Sequence, residues 1–189
     1  ANDGGETSDF SSNPSISNVG PDGFFGVAYR SVARNIASVT TQNEVNHIYV
    51  NIPKLGKNFL ISANKNYTEN SGLGNNSSFT PSIAALSAPN RLLVTYSSRA
   101  TNLTSISNPN TLNQILLTTF IAPSSKNKNL GEIASTIHVS KNSLNEAANS
   151  NCENPEISGD GNYVVFSSDA SNLSSENTNS ISQIFLYDV

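Results

Sequence analysis

Three segments of this 189-residue chain carry one pattern, and a repeat restricts the fold more than any composition does. A Pro-x-Ile recurs at Pro14-Ser15-Ile16, Pro81-Ser82-Ile83 and Pro155-Glu156-Ile157. A second run comes after each one: GVAYRSVARNI from Gly26, LVTYSSRATNL from Leu93 and YVVFSSDASNL from Tyr163. Aligned, these place Tyr29, Tyr96 and Phe166 together, then Ser31, Ser98 and Ser168, then Ala33, Ala100 and Ala170. Asn35, Asn102 and Asn172 come next, and after them Ile36, Leu103 and Leu173. A third apolar run begins ten or eleven residues beyond each Asn, as NHIYVNI, NQILLTTF and SQIFLYDV.

The runs are short and rich in β-branched and aromatic residues, which suits strands. PDG at 21–23 and GDG at 159–161 are hairpin signals, because Gly accepts the positive φ that tight turns demand. In the second copy Asn90 of APN takes that place. A fourth strand fits NFLISANKN (58–66) and ASTIHVSKNS (134–143), while the third copy reaches Val189 without one. Asn and Ser are abundant, and their short side chains bond nearby backbone, so turns should punctuate short strands and long helices are not expected. Repeated four-stranded antiparallel units describe β-propeller blades. They are expected over about 12–66, 79–143 and 153–189, behind a flexible segment 1–11. The Pro-to-Pro periods of 67 and 74 residues exceed the roughly 40–50 usual for blades. The surplus falls in YTENSGLGNNSSF and NSLNEAANSNCE, read as surface loops. A β-sandwich of eleven strands is the competing architecture, disfavoured by the fixed spacing from Pro to Asn of twenty-one residues in two copies and seventeen in the third.

The segment NPEISGDGNYVVFSSDASNLSSENTNSISQIFLYDV resembles the TolB-like, WD-type propeller repeat of exported bacterial proteins. The likeness is close over 154–189 and degenerate over 12–63 and 79–141. It implies a propeller fold and leaves the activity open. With under three complete blades, the ring is expected to close only as part of a larger propeller or as a homodimer of two half-rings.

Composition narrows the partners. The net charge is -4, yet no Lys or Arg lies beyond Lys141, while Glu146, Glu153, Glu156, Asp160, Asp169, Glu176 and Asp188 do. A solvated acidic surface accounts for these, and a basic partner or cation would be the sharper reading. No basic patch points to nucleic acid. No run of eighteen apolar residues would span a membrane. A chain that lacks Met and begins at Ala1 fits removal of a signal peptide or a fragment boundary, so a periplasmic or extracellular site is expected.

Chemistry-bearing residues are sparse. Cys152 is alone, placed in an Asn-rich linker and expected to be incidental. His47 and His138 fall within strands and outside any metal-ligand spacing, which favours a structural role. Glu153 and Glu156 are near in sequence, as glycosidase carboxylates must be in space, but a strand start need not turn them towards each other. Asp160 lies in a turn and should bond local backbone, and Asp169 aligns with Val32 and Arg99, as a surface position would. The oxygen-rich DASNLSSENTNS and RATNLTSISNPN could attract Ca²⁺ but lack the EF-hand spacing. Asn35, Asn102 and Asn172 are instead expected to cap the turn after the second strand. No cofactor motif is present. The expectation is a non-catalytic, protein-binding scaffold; the alternatives are a propeller that accompanies a hydrolase domain, or a carbohydrate-binding propeller. The absence of Trp weighs against the last.

Overall fold

The computed structural model describes residues 9–34, 36–37, 44–68, 71–108, 110–124, 131–176 and 181–189. Thirteen strands are present among them and no α-helix; a single 3-10 turn spans Pro21–Gly23. Strands β1 (Ser11–Ile16), β2 (Val27–Ser31), β3 (His47–Ile52) and β4 (Lys57–Leu60) form one antiparallel meander. Strands β5 (Ala63–Thr68) and β6 (Ser71–Leu73) make a separate hairpin. Strands β7 (Ser78–Ala85), β8 (Arg91–Ser98), β9 (Gln114–Ile121) and β10 (Glu132–His138) form the second meander. The third sheet is β11 (Cys152–Ile157), β12 (Tyr163–Ser168) and β13 (Gln183–Asp188).

The three sheets share one register. Ser11 faces Ser31 and Ile16 faces Val27; Ser78 faces Ser98 and Ile83 faces Val94; Cys152 faces Ser168 and Ile157 faces Val164. A bulge interrupts each pair at the repeated proline, between Ser12 and Ser15, Phe79 and Ser82, and Glu153 and Glu156. The residue before each proline has positive φ: Asn13 at 52°, Thr80 at 43° and Asn154 at 51°. Pro14, Pro81 and Pro155 therefore mark a β-bulge, which re-aims the strand and removes the ladder donor that proline lacks.

Stacking repeats as faithfully as pairing. Strand β7 lies against β1, β2 and β3, and β11 lies against β7, β8 and β9. The middle sheet is thus covered on both sides, so RLLVTYSS and QILLTTFI are almost continuously buried. Alternate side chains divide between two cores. Leu92, Val94, Tyr96 and Phe120 join Ala28, Ile48, Val50 and Ile52 of the first sheet. Leu93, Ile115 and Leu117 join Val164, Phe166 and Cys152 of the third. Close approach is set by Gly26, where a Cβ would meet Val50 Cγ1 at 2.9 Å and Leu92 Cδ1 at 3.0 Å.

Several boundaries differ from the sequence reading. The units open at Ser11, Ser78 and Cys152, where the Ser or Cys side chain bonds the serine opposite. The expected fourth strand 58–66 breaks after Leu60, where Ile61 and Ser62 both donate their N–H to the Ile48 carbonyl and turn the chain out of the sheet. The chain then enters the β5–β6 hairpin, which takes the end of the expected fourth strand (63–66) and part of the stretch from Tyr67 expected to be loop. Cys152 lies in a strand rather than a linker. Of the expected flexible segment 1–11, residues 1–8 lie outside the described residues, and Ser11 belongs to β1.

Candidate interaction surface

The recurring geometry within each unit is structural. Ser31, Ser98 and Ser168 each accept the N–H of the alanine two residues on, at 3.0, 3.1 and 3.1 Å, closing the turn after the second strand. Opposite them Ser11 and Ser78 donate their hydroxyls, at 3.0 and 2.9 Å, and the Cys152 thiol does the same to Ser168 at 3.3 Å. Cys152 is thus the third copy's version of a serine. Burial, foremost, pushes its thiol up to about 11, so it stays protonated and a poor nucleophile.

The Asn102 and Asn172 side chains, expected to cap their own turn, bond the segment that enters the unit instead. Asn102 accepts the Asn75 N–H and donates to the Leu73 carbonyl, while Asn75 accepts the Thr101 N–H and donates to the Thr101 hydroxyl. In the next copy Asn172, Ala147, Asn149 and Ser171 make the same four bonds, at 2.9 Å each. Each clasp ties the segment entering a unit to the turn after its second strand. Asn35, at the same repeat position, lies outside the described residues.

His47 and Gln114 open equivalent strands. Gln114 accepts the Ser140 hydroxyl at 2.8 Å and donates to the Ala148 carbonyl at 3.0 Å, with His138 Nε2 3.1 Å from its Oε1. His47 Nδ1 lies 3.1 Å from the Ser62 hydroxyl, and its Nε2 has no partner. Burial lowers both imidazoles to about 4, with the Lys141 charge adding to the effect at His138. Both are neutral core residues at physiological pH.

The bulge ends of the sheets form a polar row that the sequence reading missed. The Arg30 and Arg99 guanidinium carbons each stand 5.6 Å from the Phe79 ring centroid, at cation–π distance. Arg99 donates Nε to Asn113 at 2.9 Å, and Asn113 reaches Glu153 at 3.5 Å. A groove of about 240 Å³ between the second and third sheets is lined by Phe79, Arg99, Asn113, Glu153 and Asn154. Glu156 is occupied elsewhere, accepting the Ser82 hydroxyl at 2.7 Å. Glu153 and Glu156 therefore engage different residues, Asn113 and Ser82. Asp160 accepts from Ser158 and from the Asn162 N–H and side chain within its turn, which lowers its pKa; Asp169 is exposed. Among the described residues no three His, Cys, Asp or Glu side chains gather as metal ligands.

The feature that breaks the repeat is the outer face of the third sheet. Leu93, Thr95, Ile115 and Leu117 of the second sheet are 0–5% exposed because the third sheet covers them. Their counterparts Tyr163, Val165, Ile184 and Leu186 are 44%, 37%, 75% and 67% exposed. Together they make a contiguous apolar face on β12 and β13, with Val165 directly opposite Leu186. The sequence alone suggests buried strands here, since the residues carry the same pattern as their siblings; only the stacking order reveals that no sheet among the described residues covers them. Comparison with protein-family models, curated proteins and solved structures finds no match for this chain.

Proposed function

We propose that the chain is a non-catalytic, protein-binding scaffold: a run of β-propeller-type blades, of the TolB-like kind carried by exported proteins, that receives a protein partner on its end face. Antiparallel sheets with one register and one mode of stacking support the blade reading. The observation that carries the function is the open apolar face of Tyr163, Val165, Ile184 and Leu186. Contiguous exposed apolar surface on a folded protein marks interaction sites, since keeping it in water costs about 25 cal/mol per Å². The polar side chains of the bulge row and the clasps are engaged with one another and position backbone.

An apolar fluorescent dye, anilinonaphthalene sulfonate, tests the reading in dilute protein. The native chain should bind it, and the Ile184→Lys/Leu186→Lys variant should lose most of the signal while keeping its far-ultraviolet circular dichroism. A native chain that leaves the dye dark at every dilution refutes a docking face.

A further inference from the structure

Three residues at the bulge end of the first two sheets depart from the repeat and gather on one spot. In the shared register Ser12 faces Arg30, Phe79 faces Ser97 and Glu153 faces Ser167. Arg30 thus stands where the other copies have serine, and Phe79 where they have Ser12 and Glu153. Arg99 takes the place of Val32 and Asp169. The ladder does not demand these side chains, since the sibling sheets form it without them. We propose that they form a receptor for an acidic peptide, an extended segment of a partner protein with carboxylates on alternate residues. The site is separate from the apolar end face and goes beyond the docking proposed there.

Both guanidinium carbons stand 5.6 Å from the centroid of the Phe79 ring, so they are no more than twice that distance apart. Each is held through Nε: Arg30 donates to the Ser12 hydroxyl at 2.7 Å and Arg99 to Asn113 Oδ1 at 2.9 Å. Asn113 is buried and anchored in turn, its backbone N–H donating to Asn151 Oδ1 at 2.9 Å. These bonds orient the two side chains but occupy only Nε. Among the described residues neither guanidinium makes a further hydrogen bond or an ion pair, so the terminal nitrogens of both are left for a ligand. Two cations sharing one ring repel each other. A carboxylate on each relieves that repulsion and gains charge-assisted bonds in the fork geometry that guanidinium favours.

The groove beside Arg99 selects the kind of anion. Phe79, Thr80, Arg99, Asn113 and Glu153 line about 240 Å³. A space that small takes side chains of a segment laid across it rather than a drug-sized molecule. Glu153 is exposed, with Oε1 3.5 Å from Asn113 Nδ2. Its charge would repel an unbroken polyanion such as nucleic acid, whose backbone offers it no donor. A peptide supplies N–H donors for Glu153 between the carboxylates that Arg30 and Arg99 require. Alternate side chains of an extended chain lie about 7 Å apart on one face, within the limit that the shared ring sets on the two guanidiniums.

Heteronuclear NMR of the 189-residue chain tests the proposal, because the Nε–H signals of ordered arginines report on each guanidinium. The probe is acetyl-Asp-Ser-Asp-Ser-Asp-amide, with the Asn-Ser-Asn-Ser-Asn peptide as neutral control. The acidic peptide should shift the Arg30 and Arg99 signals and saturate with a dissociation constant at or below about 1 mM. The neutral peptide should move neither. Arg30→Gln and Arg99→Gln should each weaken binding about tenfold. Arg91→Gln, at the far end of β8, should leave it unchanged. Raising the salt from about 0.05 M to about 0.5 M should weaken it as well. Circular dichroism verifies that the variants fold, and the titration of the native chain decides the matter even where one does not. Signals that stay still up to about 10 mM acidic peptide, or a loss in Arg91→Gln as large as in Arg99→Gln, overturn the proposal. So does a chain that binds a sulfated oligosaccharide of equal charge and ignores the peptide. The Ile184→Lys/Leu186→Lys variant should keep the native affinity, so this reading and that of the end face fail separately.

Discussion

Replacing His47 by Gln should stabilise the protein, and by more at mildly acid pH. The imidazole is 1% exposed at the start of β3. Ser62 Oγ accepts the Ile48 N–H at 3.0 Å and lies 3.1 Å from His47 Nδ1, while the buried Nε2 has no partner. One repeat later Ser140 accepts the Ile115 N–H in the same way, yet Gln114 is fully satisfied between Ser140 and the Ala148 carbonyl. Gly74 stands where Ala148 does, each donating its N–H to the serine carbonyl at 2.9 Å. A Gln at 47 can therefore copy the Gln114 bonds. Removing a buried polar atom that lacks a partner relieves about 1–3 kcal/mol. The pH term has a definite sign. The unfolded imidazole takes up a proton near 6.5, whereas the folded one resists until about 4, so His47 holds its full stability above 6.5 and loses it as pH falls towards 4. The loss runs at about 1.4 kcal/mol per pH unit, so near pH 5 the Gln variant should gain about 2 kcal/mol more. Urea unfolding near pH 7.5 and near pH 5 measures both parts. A variant no more stable than the parent at the higher pH, or a gap that fails to widen at the lower one, refutes the reasoning.

The same repeats lead to three further expected outcomes. Thr80→Asn should stabilise by about 0.5–1 kcal/mol in thermal melts, because a β-branched residue at φ 43° is strained where the sibling copies use Asn13 and Asn154. Cys152→Ser should change stability by less than about 1 kcal/mol, since Ser11 and Ser78 fill that place, and the native thiol should react with a disulfide reagent only after unfolding. Asn172→Ala and Asn149→Ala should each cost about 1–2 kcal/mol, and the double variant little more than either alone, as members of one clasp are not additive. Fully additive losses would show that the clasp is not a unit.

What could be read from the chain was the repeat itself, because Pro-x-Ile, the tyrosine or phenylalanine and the serine recur at positions where backbone geometry demands them. The turns were legible at Gly23, Asn90 and Gly161, whose φ values of 70°, 58° and 79° are those such residues supply. The bulge was not legible: a residue before proline ordinarily prefers extended backbone, and only the sheet pairing holds Asn13, Thr80 and Asn154 at positive φ. Asn102 and Asn172 stood out, but their partners Asn75 and Asn149 sat in stretches read as loop. ANKN was read as the end of the fourth strand, but its departure from the first sheet to pair with β6 was not, because Asn64, Lys65 and Asn66 face outward or half outward and carry no apolar pattern to place the strand. The open face was invisible for a different reason. Tyr163, Val165, Ile184 and Leu186 have the pattern of buried residues, and a pattern states which side chains share a face, not what lies across from it.

The central claim is that one unit recurs three times and that each copy touches only its neighbours. Duplicating residues 78–151 in tandem within the chain tests it most directly, by circular dichroism and thermal melting. In a nearest-neighbour array the inserted sheet finds on both sides the surfaces it already packs against, so the longer protein should fold and melt no lower than the parent. If the sheets instead depend on contacts across a closed sandwich, the insertion will pull them apart, and a chain that aggregates or melts well below the parent contradicts the account.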